Sequence, residues 1–177
     1  MSGSSEILER AVLEDSGTVT HFLEALTGEP LVADVVWQGP SLADADNELG
    51  VIRGHSLTHR IAILKGSTSD LRYLYAESSF VPERLADPVR TRLESTSDPI
   101  GRVLGTQGMR LIRQPLITTD ATVDATVGHR LSMLSGLVAE IVWSRRYLLT
   151  VDGLPLFKIQ EWFLRPVLDA MNRRAQI

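Results

Sequence analysis

Arg146-Tyr-Leu-Leu-Thr-Val-Asp-Gly-Leu-Pro-Leu-Phe-Lys-Ile-Gln-Glu-Trp-Phe-Leu164 reads as two strands folded about an Asp152-Gly153 turn. Side chains alternate across a strand, so Phe157, Ile159, Glu161 and Phe163 share one face while Lys158 and Gln160 share the other. Glu161 therefore stands on an apolar wall. A carboxylate there costs on the order of several kcal/mol unless it is paired, hydrogen-bonded or protonated. A structural arginine beside it is the plainer reading; a chemical role is the other.

Working outward, Leu71–Val81 is a strand that pairs as a hairpin with Arg60–Leu64 across the Gly66–Asp70 turn. Val51–Thr58 and His59–Lys65 are two strands or one long bent one, and Leu31–Trp37 is another. Helical spacing appears over 5–13 and from Thr18 to Leu26, the latter capped by Asp15 or Ser16 and stopped by Gly28. Residues 38–50 read as a polar loop, and Pro82–Glu94 as a helix interrupted at Pro88. Asp98-Pro99 opens a further short helix, and a polar helical tail follows Pro166. Residues 106–142 give no decisive period, and Arg130–Trp143 fits helix or strand. Strands in hairpins, bracketed by helices, predict an α+β fold with an antiparallel β-sheet and flanking and lid helices. The length of 177 residues fits a single domain, 1–177.

Composition narrows the function. A hydrophobic share of 44%, a charged share of 23% and a net charge of -4 describe a globular chain without the basic footprint of a nucleic-acid binder. No run has the apolar length of a membrane span, and Met1–Glu6 does not read as a signal peptide, so neither membrane nor nucleic acid is an expected partner and a cytoplasmic location is. With no cysteine there is no thiolate nucleophile and no sulfur-ligated metal. His55 and His59 are spaced i, i+4 but lie in strand, so they do not share a helical face for a metal; His21 and His129 stand alone. Asp44–Gly50 lacks the glycine of a calcium loop, and Gly54–Thr58 lacks the second glycine of a nucleophile elbow. No phosphate loop or dinucleotide fingerprint occurs.

Three features point to an anion. Asp15-Ser16-Gly17-Thr18 and Asp98-Pro99-Ile100-Gly101 are both candidate helix starts, where unpaired N–H groups and the macrodipole favour negative charge, though capping is their commoner use. Arg60 opens Arg60-Ile-Ala-Ile-Leu64, apolar on both faces, so it snorkels at the sheet end, holds a buried acid such as Glu161, or forks onto a ligand carboxylate.

Val12-Leu-Glu-Asp-Ser-Gly-Thr18, Arg60-Ile-Ala-Ile-Leu-Lys-Gly66, Ala76-Glu-Ser78, Asp98-Pro-Ile-Gly101 and the run from Arg145-Arg-Tyr147 through Gly153 and Pro155 to Glu161 and Phe163-Leu-Arg165 occur in an order and spacing that resemble the chorismate pyruvate-lyases. The likeness is strongest to the actinobacterial branch that makes 4-hydroxybenzoate for secondary metabolism, and it spans the chain except about 38–50 and 115–142. It implies a chorismate lyase-like fold and conversion of chorismate to 4-hydroxybenzoate and pyruvate with no cofactor. Carried over by position, Arg60 and the backbone amides of Gly17 and Ile100 would hold the ring carboxylate, and Glu161 would face the phenolic or ether oxygen. The ubiquinone-pathway enzymes have Met where Gly17 stands and a second Arg where Ser78 stands. The binder of the enolpyruvyl carboxylate is therefore open; Arg72, Arg145 and Arg146 are candidates, each more expected to be solvated. The resemblance leaves monomer or dimer undecided. Rival readings are a lyase acting on a chorismate relative and a non-catalytic aromatic-acid-binding domain. The second is the effector domain of GntR-type regulators, which carry a DNA-binding domain ahead of it; the sequence offers no room for one before residue 15.

Overall fold

The computed structural model describes residues 18–105, 111–119 and 136–176, together with 7, 10–12 and 134. Six strands form one antiparallel sheet: β1 (Leu31–Leu42), β2 (Ser56–Gly66), β3 (Arg72–Phe80), β4 (Leu111–Thr119), β5 (Ile141–Val151) and β6 (Leu154–Leu164). Their order across the sheet is β1-β2-β3-β6-β5-β4, so the C-terminal hairpin lies against the β2–β3 hairpin. Four helices whose bounds fall within the described residues accompany it: α1 (Val19–Thr27), α2 (Asp87–Ser95), α3 (Ile100–Gly105) and α4 (Arg165–Arg174). This is the expected α+β architecture.

The elements follow from local chemistry. Asp152 (φ 50°) and Gly153 (φ 80°) both adopt the left-handed backbone of a tight hairpin turn, which is why this dipeptide closes β5 onto β6. Gly28 ends α1 in the same region, at φ 76°. The cap at the other end of α1 is Thr18, whose hydroxyl accepts from the His21 N–H at 3.3 Å; the proposed caps Asp15 and Ser16 lie outside the described residues. Of the expected 5–13 helix, positions 7 and 10–12 are described and are helical.

Several boundaries differ from the sequence reading. β1 continues to Leu42 through Gln38 and Pro40, part of the stretch read as loop. β1 is an edge strand paired only to β2, so a residue without an N–H is tolerated there. β2 begins at Ser56, and 51–55 form a turn rather than strand. Pro88 opens α2 instead of breaking a longer helix, because the missing N–H of an early helical position costs nothing; Pro82–Arg84 form a separate 3₁₀ turn. The undecided region supplies β4, a 3₁₀ turn at Leu137–Glu140 and the start of β5.

One face of the sheet carries two apolar clusters. The first joins α1 and α4 to β2, β3 and β6 through Leu23, Leu64, Leu74, Phe163 and Val167. The second joins α2 and α3 to β5 and β6 through Leu93, Val103, Leu104, Tyr147 and Phe157. A polar seam runs between them. The opposite face is covered around Tyr75, Trp162 and Leu137.

Candidate active site

The seam is built by register. Arg60 on β2 pairs with Ser78 on β3, Ser78 with Ile159 on β6, and Ile159 with Tyr147 on β5. One step along, Ala62, Ala76, Glu161 and Arg145 form the next row. Alternation sends both rows to the same face. Ala33, Ala62, Ala76 and Ser78 are small where neighbouring positions are large, and the missing volume becomes a cavity. Thr18, Val19 and Thr20 of the α1 end, with Pro99, Ile100, Gly101 and Leu104 of the α3 end, roof it. The volume open to the centre of a water-sized sphere is about 60 Å³. The walls are mostly apolar, with Arg60, Arg113 and Glu161 as the charged side chains among the described lining residues.

Arg60 is 2% exposed. Its Nη1 donates to Gln38 Oε1 at 2.9 Å and to the Leu93 carbonyl at 2.6 Å, and its Nη2 donates to the Asp98 carbonyl at 3.2 Å. Each acceptor is an uncharged group. Burial pushes the guanidinium below its ordinary pKa, and the Asp98 charge only partly offsets this. A buried cation held by neutral dipoles favours an incoming anion. Asp98 itself does not cap α3 through its carboxylate as expected; that group accepts from Arg92 Nε at 2.8 Å and pairs with Arg102.

Glu161 is equally buried, at 2%. Its Oε2 accepts from Arg145 Nε at 2.6 Å and its Oε1 from the Tyr147 hydroxyl at 2.9 Å. Both oxygens accept, which is the bonding pattern of the carboxylate. The plainer sequence reading, a buried glutamate paired with a structural arginine, is thus realised; the arginine is Arg145, not Arg60. Arg145 is 4% exposed, which corrects the expectation that it is solvated. Burial alone would lower its pKa, but the Glu161 charge outweighs this and holds it above the ordinary value. Tyr147 is pushed upward by burial first and by Glu161 second, so its hydroxyl stays a donor.

Arg60 and Glu161 therefore line one cavity but do not meet each other. β3 runs between their strands, so their backbones stand roughly 10 Å apart across the sheet. Ile100 lines the roof at the first position of α3. Gly17 lies outside the described residues. Gly101 has a steric reason to be glycine, since a Cβ there would meet Thr18 Cβ at 2.7 Å and Thr20 Oγ1 at 3.0 Å. Thr20 is buried, and its hydroxyl has no hydrogen-bond partner among the described residues.

The profile of the chorismate pyruvate-lyase Rv2949c-like family matches residues 13–171. The chain belongs to this family of carbon–oxygen lyases. A chorismate pyruvate-lyase of Mycobacterium tuberculosis (strain ATCC 25618 / H37Rv) is 26% identical over 166 residues, which cover 89% of this chain and 80% of that protein. One from Mycobacterium leprae (strain TN) is 25% identical over 173 residues, 93% of this chain and 77% of that one. Among solved structures, the effector domain of PhnF from Mycobacterium smegmatis superposes with a TM-score of 0.60 at 15% identity, over 84% of this chain and 88% of that domain. So distant a likeness speaks for the fold alone.

Within this lyase family, the sequence reading missed Tyr147, Arg113 and Thr20 as cavity residues. Tyr147 carried a signal, because counting by two along β5 puts it on the face of Arg145. Arg113 carried none, since its strand lies in the stretch without a clear period. Arg72 is exposed beside the β2–β3 turn, as expected. Arg146 pairs with Gln160 on the opposite face, away from the cavity.

Proposed function

We propose that this lyase converts chorismate to 4-hydroxybenzoate and pyruvate, for use in secondary metabolism. The observation that carries the reading is a mostly apolar cavity with a buried, anion-seeking Arg60 at one end and the Glu161 carboxylate at the other. Arg60, with the backbone amides of Gly17 and Ile100, holds the ring carboxylate. Glu161 accepts a hydrogen bond from the ring C4 hydroxyl, which becomes the phenol of the product. Arg145 and Tyr147 keep that carboxylate in place.

The bond between ring carbon C3 and the ether oxygen breaks, because the oxygen retained in the product is the one on C4. The ring loses its C4 hydrogen, and the enolpyruvyl methylene gains one as it becomes the methyl of pyruvate. Atoms and electrons balance within the substrate, so the reaction consumes no oxidant, reductant or water. Aromatisation provides the driving force, and the protein's task is to orient a flexible dianion; orientation contributes roughly 7–11 kcal/mol in favourable cases. Pyruvate release by folded Arg60→Ala and Glu161→Gln tests this. Each lost charge-assisted contact lowers kcat/KM by about 10- to 100-fold. Near-native turnover in both variants would refute the assignment.

The shared fold of the PhnF effector domain supports a second reading, an aromatic-acid-binding domain without turnover. Chorismate recovered unchanged after incubation with the protein would favour it.

A further inference from the structure

We infer that Arg113 recognises the second carboxylate of the substrate, on the enolpyruvyl arm, and so makes the cavity selective for a dianion. The inference rests on the chorismate-cleaving reading and adds the residue that distinguishes substrate from product.

Arg113 lines the cavity from β4, three strands beyond the neighbour of Arg60, and pairs across the sheet with Leu149. Its guanidinium carbon lies 5.9 Å from the centroid of the Tyr147 ring. It therefore stands at the Glu161–Tyr147 end, where the ether bond is cut, and not at the Arg60 end. Charge points the same way. Among the described lining residues the charged side chains are Arg60, Arg113 and Glu161, and Glu161 is already bonded to Arg145. Arg60 and Arg113 thus place a cationic side chain at each end of the cavity, and chorismate has two carboxylates, whereas 4-hydroxybenzoate has one. The other arginines named for this role are placed elsewhere: Arg72 is exposed, Arg145 bonds Glu161 through Nε and is not among the described lining residues, and Arg146 is on the opposite face. On scission, the carboxylate held by Arg113 leaves with pyruvate, so product retention depends on Arg60 and not on Arg113.

The test measures KM for chorismate and the inhibition constant of 4-hydroxybenzoate for wild type, Arg113→Gln and Arg113→Lys, with thermal unfolding as a check on folding. The glutamine variant should raise KM about tenfold or more while leaving the product inhibition constant within about twofold. Lysine, which keeps the charge but not the fork, should recover part of the loss. A merely structural residue would move both constants together. Equal shifts in both, or an Arg113→Gln KM close to wild type, would overturn the inference while wild-type turnover stands. Absence of pyruvate from the wild-type enzyme would instead overturn the reading beneath it, and the inference with it.

Discussion

Glu161 is a structural residue and, in the proposed reading, a chemical one as well. Its face was legible from the sequence because alternation along β6 needs no knowledge of the neighbouring strand. Its partner was not. Counting straight back from the turn sets Glu161 opposite Ser144. The register shifts by one between Leu149 and Thr150, leaving Leu156 unpaired, and Arg145 arrives instead. A bulge of one residue thus decides which group neutralises the buried acid. Removing it should be costly, since a buried carboxylate without its partner loses about 3–5 kcal/mol. Urea unfolding of Arg145→Met should show a loss of this size. In Glu161→Gln background the same substitution should cost markedly less, because the charge it compensates is gone. Equal costs in the two backgrounds would mean that the pair is not coupled.

At the scale of elements, hairpins were the readable part. Asp152-Gly153 and the 66–70 turn state their geometry locally, whereas β1 was cut short because its edge position, which excuses Pro40, is a property of the assembled sheet. β4 was hidden for a similar reason; it too is an edge strand, with a register shift at Pro115. The roof was half legible: the residues alone showed the helix starts, and only the family resemblance brought them to one site. The link between α1 and the β2–β3 turn was also invisible. It runs through Glu29, whose carboxylate accepts from the Thr68 and Ser69 N–H groups, the Ser69 hydroxyl and the Tyr73 hydroxyl. Partial burial opposes its charge, but the Ser69, Thr68 and Tyr73 bonds prevail and hold it at about 2, against an ordinary 4.5. A depressed folded value stabilises the protein above the unfolded value. That contribution is complete above pH 4.5 and fades as pH falls toward 2. Glu29→Gln should therefore flatten the acid limb of the stability curve in this window. An unchanged slope would show that Glu29 does not anchor the turn.

For the whole molecule, the sheet presents one face to two apolar clusters that do not meet, and the seam between them is the site. No helix among the described residues is long and apolar enough to cross a membrane. The same scaffold occurs in the effector domain of PhnF, so the fold alone does not set the chemistry. In the proposed reading, Arg60, Glu161 and Arg113 are the residues that distinguish cleavage of a dianion from simple binding. The decisive measurement is the stoichiometry of products when the purified protein meets chorismate. Equal molar release of pyruvate and 4-hydroxybenzoate, with no added cofactor, is expected. Chorismate held and returned intact, or pyruvate accompanied by a different aromatic acid, would contradict it.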